Sequence, residues 1–217
     1  MRTVKTATSR RSNGVDVETR DRLLEVGAQL FAARGFSKVT VRDICNRAHA
    51  NVAAVNYHFG GKAGLYEEIL RSAIRVMQGT TEAARKAGED GTPEQQLEAY
   101  IAVFLSRVIP ARDSWIHQLM MREISDPTPA LELVYDEVFK PRLAYLTRII
   151  ATLLDCSEDD DRVLRCLMSV NAQLLALLDT VAKKFRLGPP LAAEDVPTMA
   201  RHITCFSLAG IRAIANR

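Results

Sequence analysis

A chain of 217 residues with 47% hydrophobic side chains can bury one large core or two small ones. No run of about 18 apolar residues spans a bilayer and no apolar stretch near the N-terminus marks a secretory signal, which excludes a membrane protein and predicts a cytoplasmic one. The net charge of +3 is unevenly placed: residues 1–62 hold eleven Lys and Arg against five Asp and Glu, or +6, which leaves 18 against 21, or −3, for the rest. Such asymmetry is expected when one end of a chain meets phosphates.

Residues 1–15 carry Arg2, Lys5, Arg10 and Arg11 with no acid and no apolar periodicity. They read as a disordered basic arm, either a solvated tail or a segment that reaches along a DNA backbone or into a minor groove. A first helix is expected from Asp16, its cap, to Arg34, with Leu23, Leu24, Gly27, Ala28, Leu30 and Phe31 as its inward stripe. Gly35 suits the left-handed position just past that helix, and Phe36 can fold back on Phe31. Thr40 with Asp43 forms a capping box that opens a second helix through Val41, Ile44, Cys45 and Ala48. His49 and Ala50 break it. Asn51 then caps a third helix in which Val52, Val55 and Phe59 recur at three- and four-residue steps as an inward face. The opposite face offers Ala53, Ala54, Asn56, Tyr57 and His58, small residues that allow close approach and polar ones that hydrogen-bond. Two short helices so arranged make a helix-turn-helix, whose second helix buries one stripe and presents the other to a major groove about 12 Å wide.

Gly60 and Gly61 close that helix, and Lys62 opens a fourth through Leu65, Tyr66, Ile69, Leu70, Ala73 and Met77. Lys62, Thr40 and Arg42 lie at helix starts flanking the groove-facing helix, where free N–H groups and the helix dipole favour phosphate. Expected DNA contacts are thus Thr40, Arg42, Asn51, Ala53, Ala54, Asn56, Tyr57, His58 and Lys62, with Ala53, Ala54 and Tyr57 reading bases.

The runs TVRDIC-x2-A and NVAAVNYHFGGKAGLY resemble the DNA-binding signature of the tetracycline-repressor (TetR) family of bacterial transcription regulators, densely from about Leu23 to Leu70. His49 departs from the Gly common in the family's turn; His accepts left-handed backbone less well than Gly but better than most residues. The resemblance implies a repressor that binds a palindromic DNA operator as a homodimer, is released by a small-molecule inducer and couples the two events through its fourth helix.

Beyond the turn-rich AGEDGTP segment at 87–93, helices are expected from Pro93 to Ile109, Asp113 to Ile124, Ala130 to Leu154, Asp159 to Phe185 and Asp195 to Asn216. Pro141 removes one backbone donor and should kink or re-pair the third of these. No strand alternation appears, so the fold expected is all-α with about nine helices, divided into the arm (1–15), a helix-turn-helix domain (16–62) and a ligand-binding and dimerisation domain (63–217).

The last two helices, about 159–185 and 195–216, are apolar over more than one stripe, and Val196, Met199, Ala200, Ile203, Phe206, Gly210 and Ile214 recur near heptad spacing. Either both are central to the monomer's core or two from each chain build a four-helix dimer interface, and the resemblance favours the dimer. In the middle helices Tyr100, Phe104, Trp115, His117, Met120, Met121, Tyr135 and Phe139 concentrate aromatic, thioether and polar groups of the kind that line a ligand cavity or fill a plain core. Cys45, Cys156, Cys166 and Cys205 are too widely spaced for a metal knuckle and read as reduced, buried thiols, a Cys156–Cys166 redox pair being the alternative. No phosphate loop, nucleophile elbow or HExxH motif occurs, so no enzyme, metal or cofactor is expected. The competing reading is a helical module for protein contacts or general DNA packing, without an effector.

Overall fold

The computed structural model describes residues 7–111, 113–177 and 191–216, and among these every regular element is helical. The helices are α1 (Ala7–Arg34), α2 (Val41–Ala48), α3 (Val52–Phe59), α4 (Lys62–Ala87), α5 (Pro93–Val108), α6 (Trp115–Ser125), α7 (Leu131–Val134), α8 (Lys140–Leu154), α9 (Asp161–Ala176) and α10 (Val196–Ala215). A π-helical stretch, Tyr135–Phe139, joins α7 to α8. Counting the run from α7 through α8 as one gives nine helices among the described residues.

Helix α1 starts nine residues earlier than the cap assigned to Asp16, so the segment 7–15, expected as a disordered arm, is helical. Nucleating a helix is costly and extending one is cheap, so the buried stripe from Leu23 onward carries the helix back past Asp16. Residues 1–6, and the last part (178–185) of the helix expected from Asp159 to Phe185, lie outside the described residues. The π stretch answers the missing donor at Pro141: the chain shifts to wider pairing just upstream, and Lys140 N–H donates to the Tyr135 carbonyl.

The chain divides into two compact units. The first comprises residues 1–73 and 114–131, and the second residues 74–113 and 132–217. Helix α6 therefore groups with the helix-turn-helix and not with the C-terminal helices, unlike the contiguous division expected at residue 62. The first core holds Leu23, Phe31, Ile44, Val55, Leu65 and Ile69, each almost wholly buried. Phe31, Phe36 and Tyr66 pack together there, with Phe31 and Tyr66 edge to face at 4.9 Å and Phe36 5.9 Å from Phe31, the fold-back expected after Gly35.

In the second unit α5, α8, α9 and α10 close around Leu97, Ile101, Leu105, Leu146, Ile150 and Val170. Helix α9 is opened by Asp160, whose carboxylate accepts from the Arg162 backbone N–H at 2.8 Å and holds the Arg162 guanidinium through 2.9 and 3.0 Å bonds. Those bonds keep the Asp160 carboxyl down at about 2. Of the cysteines, Cys45 and Cys166 are buried and Cys156 partly so, but Cys205 is exposed, contrary to expectation, because it falls on the outer face of α10.

Candidate DNA-binding interface

The geometry of the turn follows from its caps. Thr40 Oγ1 accepts from the Asp43 N–H at 3.1 Å, and Asp43 Oδ2 accepts from the Thr40 N–H at 2.9 Å, closing the capping box that starts α2. The Thr40 hydroxyl also donates to that carboxylate at 2.6 Å, and these bonds hold the Asp43 carboxyl below its usual range. Helix α2 ends on His49, which adopts φ 51°, ψ 43°, the left-handed conformation a glycine takes most easily. Asn51 Oδ1 then accepts from the Ala54 N–H at 2.8 Å to start α3. Gly60 at φ 68° and Gly61 at φ 124° end that helix.

The way α4 follows is fixed by Gly64. A Cβ on it would sit 1.9 Å from the Phe59 carbonyl oxygen, so only glycine lets the first turn of α4 approach the last turn of α3. The sequence reading passed over this residue; the signal was a third glycine in the GGKAG run.

Helix α1 and helix α6 hold this pair in place with polar ties. Arg22 Nε donates to the Ala48 carbonyl at 3.3 Å, capping α2 from the side. Arg20 donates to Glu68 at 3.2 Å and lies 5.6 Å from the Phe59 ring centroid. Arg122 on α6 donates from Nε to the Ala32 carbonyl at 2.6 Å and from Nη2 to the Ala33 carbonyl, filling the open end of α1. Beside it Glu123, only 1% exposed, accepts from the Tyr66 hydroxyl and from Thr128 Oγ1 at 2.9 Å and Thr128 N–H at 3.2 Å. Burial, followed by the bond to Glu123, pushes the Tyr66 phenol far above its ordinary range.

With the pair so held, α3 leaves a defined face to solvent. Tyr57 is 77% exposed, and Asn51, Ala53 and Asn56 are exposed beside it, with Ala54 partly so. Two expectations need correction. His58 does not share that face: its side chain is buried, with Nε2 3.2 Å from Asp16 Oδ1, because α1 continues past Asp16 and offers it a carboxylate. Val52 is the reverse case, 45% exposed rather than inward, since at the first turn of α3 only Val55 reaches the core. The three- and four-residue spacing of Val52, Val55 and Phe59 misplaced it. Arg42 is exposed at the start of α2. The Thr40 hydroxyl is engaged by Asp43, and the Lys62 ammonium lies 4.3 Å from the Phe36 ring centroid at the first residue of α4.

The eight residues expected to line a ligand cavity are divided between the units. Trp115, His117, Met120 and Met121 belong to the first unit, where Trp115 borders a cleft of about 280 Å³ with Leu24, Ala28 and Ile69. Tyr100, Phe104, Tyr135 and Phe139 belong to the second. There Tyr100 and Phe104 are buried with their rings 6.3 Å apart, Phe139 is partly buried, and Tyr135 is 49% exposed on the π stretch.

Residues 23–69 match the family described as bacterial regulatory proteins, tetR family. Residues 93–211 match that of the C-terminal domain of the HTH-type transcriptional dual regulator CecR, more than half of the chain. This chain belongs to the TetR family of transcriptional regulators. Among its relatives, the dual regulator CecR of Shigella flexneri is 27% identical over 183 residues, covering 79% of this chain and 77% of the relative. The probable HTH-type transcriptional regulator YttP of Bacillus subtilis is 29% identical over 144 residues, 60% of this chain and 69% of the relative. A TetR-family regulator from Streptomyces coelicolor has the same fold, with a TM-score of 0.64 at 21% identity over 90% of this chain and 97% of that one. TetR-family members are DNA-binding regulators and not enzymes.

Proposed function

We propose that this TetR-family regulator is a cytoplasmic repressor that binds a palindromic operator as a homodimer and releases it when a small molecule binds. The observation that carries the DNA-binding part is the capped α2–α3 pair, which leaves Ala53, Asn56 and the 77% exposed Tyr57 on one face of a helix sized for a major groove. Arg42, and Lys62 with the free N–H groups at the start of α4, supply the phosphate contacts that set register. Thr40 contributes through its cap geometry, since its hydroxyl is already bonded to Asp43.

Dimerisation is assigned to α9 and α10. Leu164, Met168 and Leu175 on α9 and Phe206 on α10 are each more than half exposed, and a Cβ on Gly210 would meet nothing within 4 Å. An apolar face of that extent on a monomer marks an interaction surface. The effector is assigned to the buried aromatic group of the second unit around Tyr100 and Phe104. Titration of the protein with DNA from upstream of its own gene, against random DNA at matched salt, tests the reading; a specificity ratio of about 10³ or more is expected, and a ratio near one contradicts it.

A further inference from the structure

Most arginines whose partners are described here stand beside a carboxylate. Arg20 pairs with Glu68, Arg22 with Glu18, Arg71 with Glu67, Arg162 with Asp160, and Arg212 with Glu94. Arg122 and Arg142 are not so paired: Arg122 fills the open end of α1, and Arg142 lies on α8 in the second unit. Its Nε donates to Thr81 Oγ1 at 3.3 Å, its Nη2 donates to the Met77 carbonyl at 3.3 Å, and its Cζ lies 5.5 Å from the Phe104 ring centroid. None of the ion pairs among the described residues includes it. The ionisable group felt at Arg142 is the Tyr100 phenol, and burial pulls the Arg142 guanidinium below its ordinary range.

A guanidinium has five N–H donors in a planar fork, and here two of them meet acceptors, both at long range. One of those acceptors is a mid-helix carbonyl. Arg142 is partly buried, and a partly desolvated cation with no carboxylate among its described partners is costly to hold. The surroundings supply apolar and aromatic surface from Tyr100 and Phe104, and no ion pair among the described residues brings a carboxylate to Arg142. We propose that Arg142 is the anchor of an anion subsite: the effector is a compound with a carboxylate, or an equivalent anionic group, held by the guanidinium fork, and with an apolar body laid against Tyr100 and Phe104. A carboxylate matches the fork bidentately and supplies the missing charge. An anion that takes the fork also competes with Thr81 and Met77, both on α4, so binding loosens the tie between α8 and α4.

This assignment rests on the reading that the protein responds to a small molecule, and the test separates the two. The full chain is titrated calorimetrically with octanoate, decanoate and 2-naphthoate and with their neutral amides, and repeated with Arg142→Gln and Arg142→Lys after helicity is checked. At least one acid is expected to bind, with its amide weaker by about 10–150-fold, the span of a charge-assisted hydrogen bond. Arg142→Gln should bring that acid down to the level of its amide, and Arg142→Lys should fall between. Equal binding of acid and amide, equal binding by the parent and Arg142→Gln, or no acid bound at all would overturn the subsite and leave Arg142 as a strut between α8 and α4. The acid–amide comparison on the parent chain stands even if both variants unfold. Operator release, scored in parallel, distinguishes the readings: release by a neutral amide from parent and Arg142→Gln alike keeps the ligand response and removes the anion subsite, whereas Arg142-dependent acid binding without release keeps the subsite and removes the response.

Discussion

Tyr57 is the sharpest probe of the proposed recognition face, because it presents an exposed ring and hydroxyl about one turn beyond two small alanines. Tyr57→Ala should lose about 1–3 kcal/mol on the specific operator and little on random DNA, as read by titration of both; equal loss on both would mark a phosphate contact instead. Gly64→Ala carries the opposite kind of effect. A methyl group 1.9 Å from the Phe59 carbonyl oxygen must displace backbone, so thermal unfolding should show a loss of at least about 1–3 kcal/mol and DNA binding should weaken on all sequences. An unshifted melting temperature would mean that α4 approaches α3 less closely than described. At this scale the sequence revealed caps and turns well: the Thr40–Asp43 box, the Asn51 cap and the left-handed His49 all depend on neighbours within a few residues. It misplaced His58 and Val52, since periodicity says which side of a helix is inward but not that α1 reaches back far enough to bury an imidazole.

Helix ends, the start of α1 apart, were legible to within a few residues because the signals there are chemical: Gly35, the GG pair, Pro93 and the SDPTP turn. Their grouping was not. Helix α6 follows the C-terminal pattern in sequence but joins the first unit, fastened by Arg122 to the end of α1 and by the buried Glu123 to Tyr66, pairings separated by 57 to 90 residues that no local pattern encodes. Trp115 therefore cannot serve as a probe of a pocket remote from the recognition head. Helix α9 offers a pH test. A carboxyl at about 2 in the folded chain and near 3.8 when free contributes stability that is complete above pH 4–5 and lost as pH falls toward 2. Chemical denaturation across that window should show a decline that is shallower in Asp160→Asn; identical slopes would remove the Asp160–Arg162 pair from the cap. For the dimer face, Met168→Lys combined with Phe206→Lys should convert the protein to a monomer by sedimentation and leave helicity unchanged, because both side chains are more than 60% exposed in the isolated chain. A persisting dimer would place the interface elsewhere.

Across the whole molecule, α4 belongs by its first half to one unit and by its second half to the other. An effector acts only by binding one state better than the other, and a coupling of about 1–3 kcal/mol lowers operator affinity about 5–150-fold. The central claim beneath this is that two heads occupy successive major grooves as a dimer, about 34–36 Å apart. It is tested most directly by inserting about 5 base pairs, half a helical turn, between the half-sites of the bound operator and measuring affinity at fixed salt. The account predicts a fall toward the affinity for random DNA, because the second half-site now faces the far side of the duplex; affinity unchanged by the insertion would contradict it.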